Sequence, residues 1–209
     1  MRYIIFDFDG TLADSTQLFM QAWNTFAKQF NYLPVTQEDL VSSRNLTIQQ
    51  RAKKYEFPMH KIPIILPKVY QYFKAHMNEV ALFDGIKEML EALARNGYKI
   101  VIISSNAQEN IELFLRQEGI DTVSQVLTSS RIFGKDTVIR KFMKQQNLTA
   151  DQLLYVGDEV RDILACNKVS VPFAWVSWGL DGYELIEKEN PRFVVHSPQE
   201  LMSALKLEG

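Results

Sequence analysis

Apolar residues along this chain follow two rhythms. Short, densely apolar runs read as strands: YIIFDF (Tyr3 to Phe8), YKIVIIS (Tyr98 to Ser104), SQVLTS (Ser124 to Ser129), LLYVG (Leu153 to Gly157), FAWVSW (Phe173 to Trp178) and RFVVH (Arg192 to His196). Several are apolar on both alternating faces, the pattern of a parallel sheet covered by helices on both sides. Between them stand stretches at helical spacing. IKEMLEALARNG (Ile86 to Gly97) ends on a glycine stop, QENIELFL follows Asn106, DTVIRKFMKQQN follows Lys135, and EVRDILACNK follows Asp158. Strand and helix in alternation predict an α/β fold with a doubly wound, mainly parallel sheet.

From about Ser15 to Ala81 the alternation stops. This segment holds no good strand and reads as several helices: LFMQAWNTFAKQF, TQEDLVSS, TIQQRAKKY and a stretch from Ile64 to Val80, with Pro58, Pro63 and Pro67 at the joins. The expectation is a catalytic core of residues 1–15 and 82–209, with a small all-helical cap domain, residues 16–81, inserted after the first strand. Ligands of open α/β sheets bind beyond the carboxyl ends of the strands, so such an insert would sit over the site.

The polar residues that carry chemistry stand where strands end. The first strand runs into Asp7, Phe8, Asp9, Gly10 and Thr11. Two carboxylates facing one way repel unless a cation is near, and oxygen ligands suit a hard cation such as Mg²⁺. A calcium-loop reading of DxDG fails, because the positions that need Gly and Glu hold Leu12 and Leu18. Gly10 permits a tight turn. Ser104 closes the second long strand, followed by Ser105 and Asn106; either a phosphate site or a simple helix cap fits them. Lys135 in FGKDT precedes a helix, and a lone lysine is ordinarily solvated. In LLYVGDEVRDI, Asp162 stands one helical turn beyond Asp158, on the same face.

Composition narrows the field. The chain has 209 residues, 46% of them hydrophobic, enough for a sizeable core. A net charge of −2 gives no sign of nucleic-acid binding. One cysteine, Cys166, excludes an internal disulfide and fits a reducing compartment. No apolar run is long enough to span a bilayer, and Asp7 stands where a signal peptide would need its apolar stretch, so none is expected. A cytoplasmic location is expected. Between Asn31 and Asn78 basic residues outnumber acidic ones, which would suit an anionic substrate or simply a solvated face.

Taken together, DFDGTLADS, a serine after an apolar strand, Lys135 in FGK, and GDEVRD resemble the haloacid dehalogenase (HAD) superfamily; FGK, GDEVRDI and WVSWG resemble its phosphoglycolate-phosphatase-like branch. The resemblance implies a Rossmann-like three-layer sandwich with a helical type 1 cap. It implies Asp7 as nucleophile, Asp9 as general acid and base, and Mg²⁺ held by Asp7, the Asp9 main-chain carbonyl and Asp158. Ser104 and Lys135 would serve the transferring phosphoryl group, with Gly10, Thr11, Ser105 and Asn106 around it, and Asp162 would orient Lys135 or a metal-bound water. The implied function is Mg²⁺-dependent hydrolysis of a small phosphorylated metabolite, by a monomer or homodimer with no nucleic-acid or membrane partner. A phosphomutase of the same family and a non-catalytic binding protein are the alternatives. An aspartate at position 9 favours phosphate esters over carbon–halogen bonds, since a halide leaves without a proton. Lys53 and Lys54 could in principle form the Schiff base of a phosphonatase, but helix lysines are ordinarily solvated. Arg44 is the first choice for a cap residue that touches substrate. Trp175 and Trp178 could wall the pocket or pack in the core. Where relatives usually have Pro before Gly after the cap, this chain has Phe83-Asp84-Gly85.

Overall fold

Tyr3, Ile4, Ile5 and Phe6 form strand β1 (Tyr3–Phe6), and all four are buried because β1 is central in the sheet. The structure is a computed structural model that describes residues 3–129 and 133–207. Residues 1–2, 130–132 and 208–209 of the expected core lie outside the described residues.

The chain continues through β2 (Ala13–Asp14), α1 (Thr16–Phe30), α2 (Gln37–Ser42), α3 (Ile48–Lys54), α4 (Ile62–His76), β3 (Ala81–Leu82) and α5 (Ile86–Arg95). Then come β4 (Lys99–Ser104), α6 (Gln108–Gln117), β5 (Val123–Thr128), α7 (Lys135–Gln146), β6 (Leu153–Gly157), α8 (Val160–Asn167), β7 (Phe173–Val176), α9 (Tyr183–Ile186), β8 (Phe193–Val195) and α10 (Pro198–Ala204). Six strands form one sheet in the order β5-β4-β1-β6-β7-β8, every pair parallel. The chain leaves β1 for one edge of the sheet and returns beside β1 to build the other. The carboxyl ends of β4, β1 and β6 therefore open at the switch point where such sheets bind ligands.

Alternation along β1 sorts the core into layers. Ile4 and Phe6 join a cluster with Met89 and Leu93 of α5, Phe114 of α6 and Leu201 of α10. Tyr3 and Ile5 face the other way, onto Ile139 and Phe142 of α7 and Ile163 and Cys166 of α8. The three-layer sandwich expected from the sequence is present.

Three expectations are corrected. The segment expected to hold no strand ends in one at Ala81: β2 and β3 pair antiparallel, Ala13 with Leu82 and Asp14 with Ala81, in a ribbon too short to show an alternating pattern. Pro67 does not mark a join, because α4 runs through it. Pro63, near the helix start, needs no donor there. Pro67 and Pro63, whose carbonyl loses its helical donor, are both exposed, so the omitted hydrogen bond falls on the open face of the helix. Finally, β1 ends at Phe6 rather than Phe8. The Phe8 carbonyl instead accepts from the backbone N–H groups of Leu12 (2.9 Å) and Ala13 (3.0 Å), so Asp9 sits on a turn, while Asp7 N–H still donates to the Val156 carbonyl of β6 (2.9 Å).

The helices between β2 and β3 divide their loyalties. Leu18 and Ala22 of α1 and Phe73 of α4 belong to the main core. Ala27, Phe30, Tyr32 and Ile65 form a separate cluster with Trp23, Phe26 and Phe57 packed on it. No helix among the described residues is long and apolar enough to cross a membrane.

Candidate active site

Four loops meet at the carboxyl ends of β1, β4 and β6 and at the start of α7. Lys135, the first residue of α7, is 2% exposed and is not the solvated group that a lone lysine would be. Its Nζ lies 2.6 Å from Asp7 Oδ2 and 2.6 Å from Asp162 Oδ1. Burial alone would lower its pKa, but Asp162 and Asp7 outweigh that and raise it, so it stays charged. Asp7 feels the reverse balance: burial opposes ionisation, Lys135 and Arg161 overcome it, and the carboxyl falls below its usual range. Its other oxygen accepts from Phe8 N–H at 2.7 Å.

Asp158 follows β6. Thr11 Oγ donates to its Oδ1 at 2.9 Å, and Leu180 N–H donates to its Oδ2 at 2.7 Å. Gly10 has a φ of +78°, and a Cβ there would meet Asp158 Oδ2 at 2.4 Å. At Gly179 a Cβ would meet Asp158 Cβ at 2.2 Å. Glycines thus press the two flanking loops onto this carboxylate. Trp175 Nε1–H donates to the Asp158 carbonyl (3.1 Å) and Trp178 Nε1–H to the Thr11 carbonyl (3.0 Å), so both tryptophans brace the aspartate loops.

Asp9 faces the cavity above. Asn106 Nδ2 donates to its Oδ2 at 3.0 Å, while buried Oδ1 has no hydrogen-bond partner. Burial raises its pKa to about 6, aided by Asp7 and opposed by Ser15 and Asn106. Ser104 is buried at the end of β4, and its Oγ accepts from Asn106 N–H at 3.1 Å. Ser105 and Asn106 do not cap α6, which begins after Ala107. Ser105 Oγ accepts instead from Arg161 Nη1 at 3.1 Å, and Asn106 Oδ1 accepts from Ala107 N–H and Asn110 Nδ2.

Ligand oxygens of Asp7, Asp158 and Asp162 lie within 4.8 Å of one another. Burial, with Glu159 and Asp7 nearby, raises Asp158 well above the carboxylate range. Burial also pushes Asp162 up to about 8, against the pull of Lys135. Asp162 Oδ2 is a second buried oxygen without a partner. Lys135 offsets only part of the charge of three carboxylates, and such an all-oxygen donor set fits a hard metal cation.

Arg44 is not brought to this cluster. Its Nη2 donates to the carbonyls of Ser177 (2.8 Å) and Gly179 (2.9 Å), tying the segment after α2 to the loop after β7. The basic surplus of α1–α4 is partly spent in the same way: Arg51 meets Asp181, and Lys74 meets Glu109. Lys53 is exposed, and Lys54 lies beside Asp39 and Tyr55 rather than in the site.

Sequence reasoning passed over Arg161 and Tyr70. Arg161 pairs with Glu159 as well as Ser105. Its place between Asp158 and Asp162, in the first turn of the helix that leaves the site, is the signal that could have found it. Tyr70 of α4 donates its hydroxyl to the Ser105 carbonyl, a long-range contact that no local pattern announces.

A family model described as haloacid dehalogenase-like hydrolase matches residues 4–176. The chain belongs to that family and is a hydrolase. It is 27% identical over 206 residues to a phosphoglycolate phosphatase of Synechococcus elongatus, covering 98% of this chain and 97% of that protein. It is 24% identical over 217 residues to the pyrophosphatase PpaX of Listeria innocua, covering 98% and 96%. A predicted phosphatase of Clostridium acetobutylicum shares the fold, with a TM-score of 0.82, 24% identity and 98% of each chain covered.

Proposed function

We propose that this protein is a Mg²⁺-dependent phosphatase that hydrolyses a small phosphomonoester through a phosphorylated Asp7. The observation that carries the reading is the buried Asp7–Lys135–Asp162 array beside Asp158, directly beneath a cavity whose floor is lined by Asp9, Ser105, Asn106, Asp158 and Arg161. The similarity to enzymes that act on phosphoglycolate and pyrophosphate supports the same chemistry.

Asp7 is ionised and fixed through both oxygens, as an in-line nucleophile must be. Attack on phosphorus forms an acyl phosphate and releases the alcohol. Asp9, with a pKa of about 6 and one oxygen without a partner, protonates the leaving oxygen and then takes a proton from the attacking water. Lys135 offsets charge on the transferring group. Ser104 holds the loop that carries Asn106 and so steadies Asp9. Asp7, Asp158 and the Asp9 main-chain carbonyl would hold Mg²⁺, which would stabilise negative charge on the phosphoryl oxygens. Asp162 orients Lys135. Residues 16–81 act as the cap, closing the cavity from above and excluding water.

Hydrolysis of nitrophenyl phosphate by wild-type protein, with Mg²⁺ and with a chelator, beside Asp7→Asn, tests this reading. Metal-dependent turnover that falls by about 10³-fold or more in Asp7→Asn is expected. Turnover indifferent to metal and to Asp7 would overturn it.

A further inference from the structure

The cavity above Asp9 has a volume of about 430 Å³, within the roughly 300–1,000 Å³ range of small-molecule pockets. Its floor is polar, and above it the lining is mostly apolar, broken by Ser43, Thr47, Gln49 and Arg51. Trp23, Tyr32, Tyr55, Phe57, Ile65 and Leu66, from α1, α3, α4 and their connections, surround the space beyond the aspartates. Trp23 stacks on Phe57 with ring centres 4.8 Å apart, so the two rings brace each other in the aromatic lining.

The mouth is apolar too. Phe19, Phe133 and Leu164 line it and remain 38%, 53% and 42% exposed. Three large apolar side chains left open at one cavity entrance mark a surface that a ligand covers.

Charge on the walls points the same way. Asp9, Asp158, Glu159 and Asp181 face two cations among the described residues. Arg51 is committed to Asp181 at 2.6 Å and to the carbonyls of Ser43 and Arg44, both at 3.0 Å. Arg161, beside Ser105 and Glu159, stands at the floor where the phosphoryl group would sit. A second anionic group higher in the cavity would meet mostly aromatic and aliphatic carbon, with Arg51 already committed, and would lose much of its hydration.

We infer that the substrate is the phosphomonoester of a bulky, uncharged, apolar alcohol, whose ring or branched chain fills the space between Trp23, Tyr55, Phe57 and Leu66. The inference rests on the phosphatase reading and narrows it: a two-carbon acid or a pyrophosphate would leave this space unfilled. The pocket selects by burying apolar surface, so discrimination grows with the size of the alcohol.

The test compares kcat/KM for naphthylethyl phosphate, ethyl phosphate and phosphoglycolate, with Mg²⁺ and the full-length chain, and nitrophenyl phosphate as control. The naphthylethyl and ethyl alcohols are similar leaving groups, so their difference reports the pocket. Naphthylethyl phosphate is expected to exceed ethyl phosphate by about 100-fold. Leu66→Gln, a substitution at a half-buried position, is expected to cost more on the naphthylethyl ester than on the ethyl ester. Asp7-dependent turnover that is equal or better on ethyl phosphate or phosphoglycolate would overturn the inference and leave the phosphatase reading standing. Failure on all esters, the nitrophenyl control included, would overturn both.

Discussion

Arg51 of α3 reaches across to Asp181, in the loop between β7 and α9, and meets its Oδ1 at 2.6 Å. The same aspartate accepts from Val160 N–H, the first residue of α8, at 2.8 Å. Two residues earlier in that loop, Gly179 packs on Asp158, and Gly182 N–H donates to the Arg44 carbonyl at 2.9 Å. The contact therefore joins the overlying helices to the loop that shapes the aspartate cluster.

Breaking this contact should loosen closure rather than chemistry. Arg51→Ala and Asp181→Ala are each expected to raise KM about 10-fold, and the double variant to add little more. Steady-state kinetics on the four proteins checks this; fully additive losses would mean that the two residues act separately.

The pH behaviour of Asp9 is a second expectation. As a general acid it must be protonated, so its contribution falls as pH rises through about 6. An alkyl phosphate needs that proton and nitrophenyl phosphate needs it little. The ratio of alkyl to nitrophenyl rates should decline above this pH, and Asp9→Asn should flatten it. A ratio unchanged with pH would remove the acid role.

Metal-free stability should fall as pH rises from about 4 to about 8. Asp9, Asp158 and Asp162 all have pKa values raised in the folded state, with about 6 for Asp9 and about 8 for Asp162. Each favours folding while protonated and loses that contribution as pH climbs through its folded pKa. Mg²⁺ should raise the melting temperature most at the upper end of this window. Asp158→Asn should abolish the Mg²⁺ shift. Thermal melts with metal and with chelator decide it.

Gly179 offers a steric probe. Its added methyl in Gly179→Ala would overlap Asp158 Cβ, so the loop or the aspartate must move. A loss of at least about 100-fold in kcat is expected, since small misplacements at a reacting centre are costly. Full activity would show that Asp158 tolerates displacement.

Much of this molecule was legible in its sequence, for reasons particular residues make clear. Ile4, Ile5 and Phe6 are buried on both faces, and a run without alternation says so directly. The α5 helix announced itself through Ile86, Met89, Leu90 and Leu93, all buried at helical spacing. The Asp7, Lys135 and Asp158 cluster was anticipated only as a set, from motif order; a lone Lys135 reads as solvated, because nothing local reveals the two carboxylates that hold it. What escaped were contacts fixed by packing between distant segments. The β2–β3 ribbon has four residues and no pattern of its own. Tyr70 reaches Ser105 across thirty-five positions, and Arg44 binds carbonyls well over a hundred positions away. Position 44 suggested a basic residue for substrate, whereas in the structure its guanidinium is held by the chain itself.

The proposed chemistry requires a carboxylate oxygen of Asp7 to accept the phosphoryl group. Rapid quenching of the reaction, reductive trapping with borohydride and peptide mass analysis would read that directly. The expected result is modification confined to the peptide bearing Asp7, absent in Asp7→Asn and absent without metal. Turnover with no trapped aspartate, or with the modification at another residue, would contradict it.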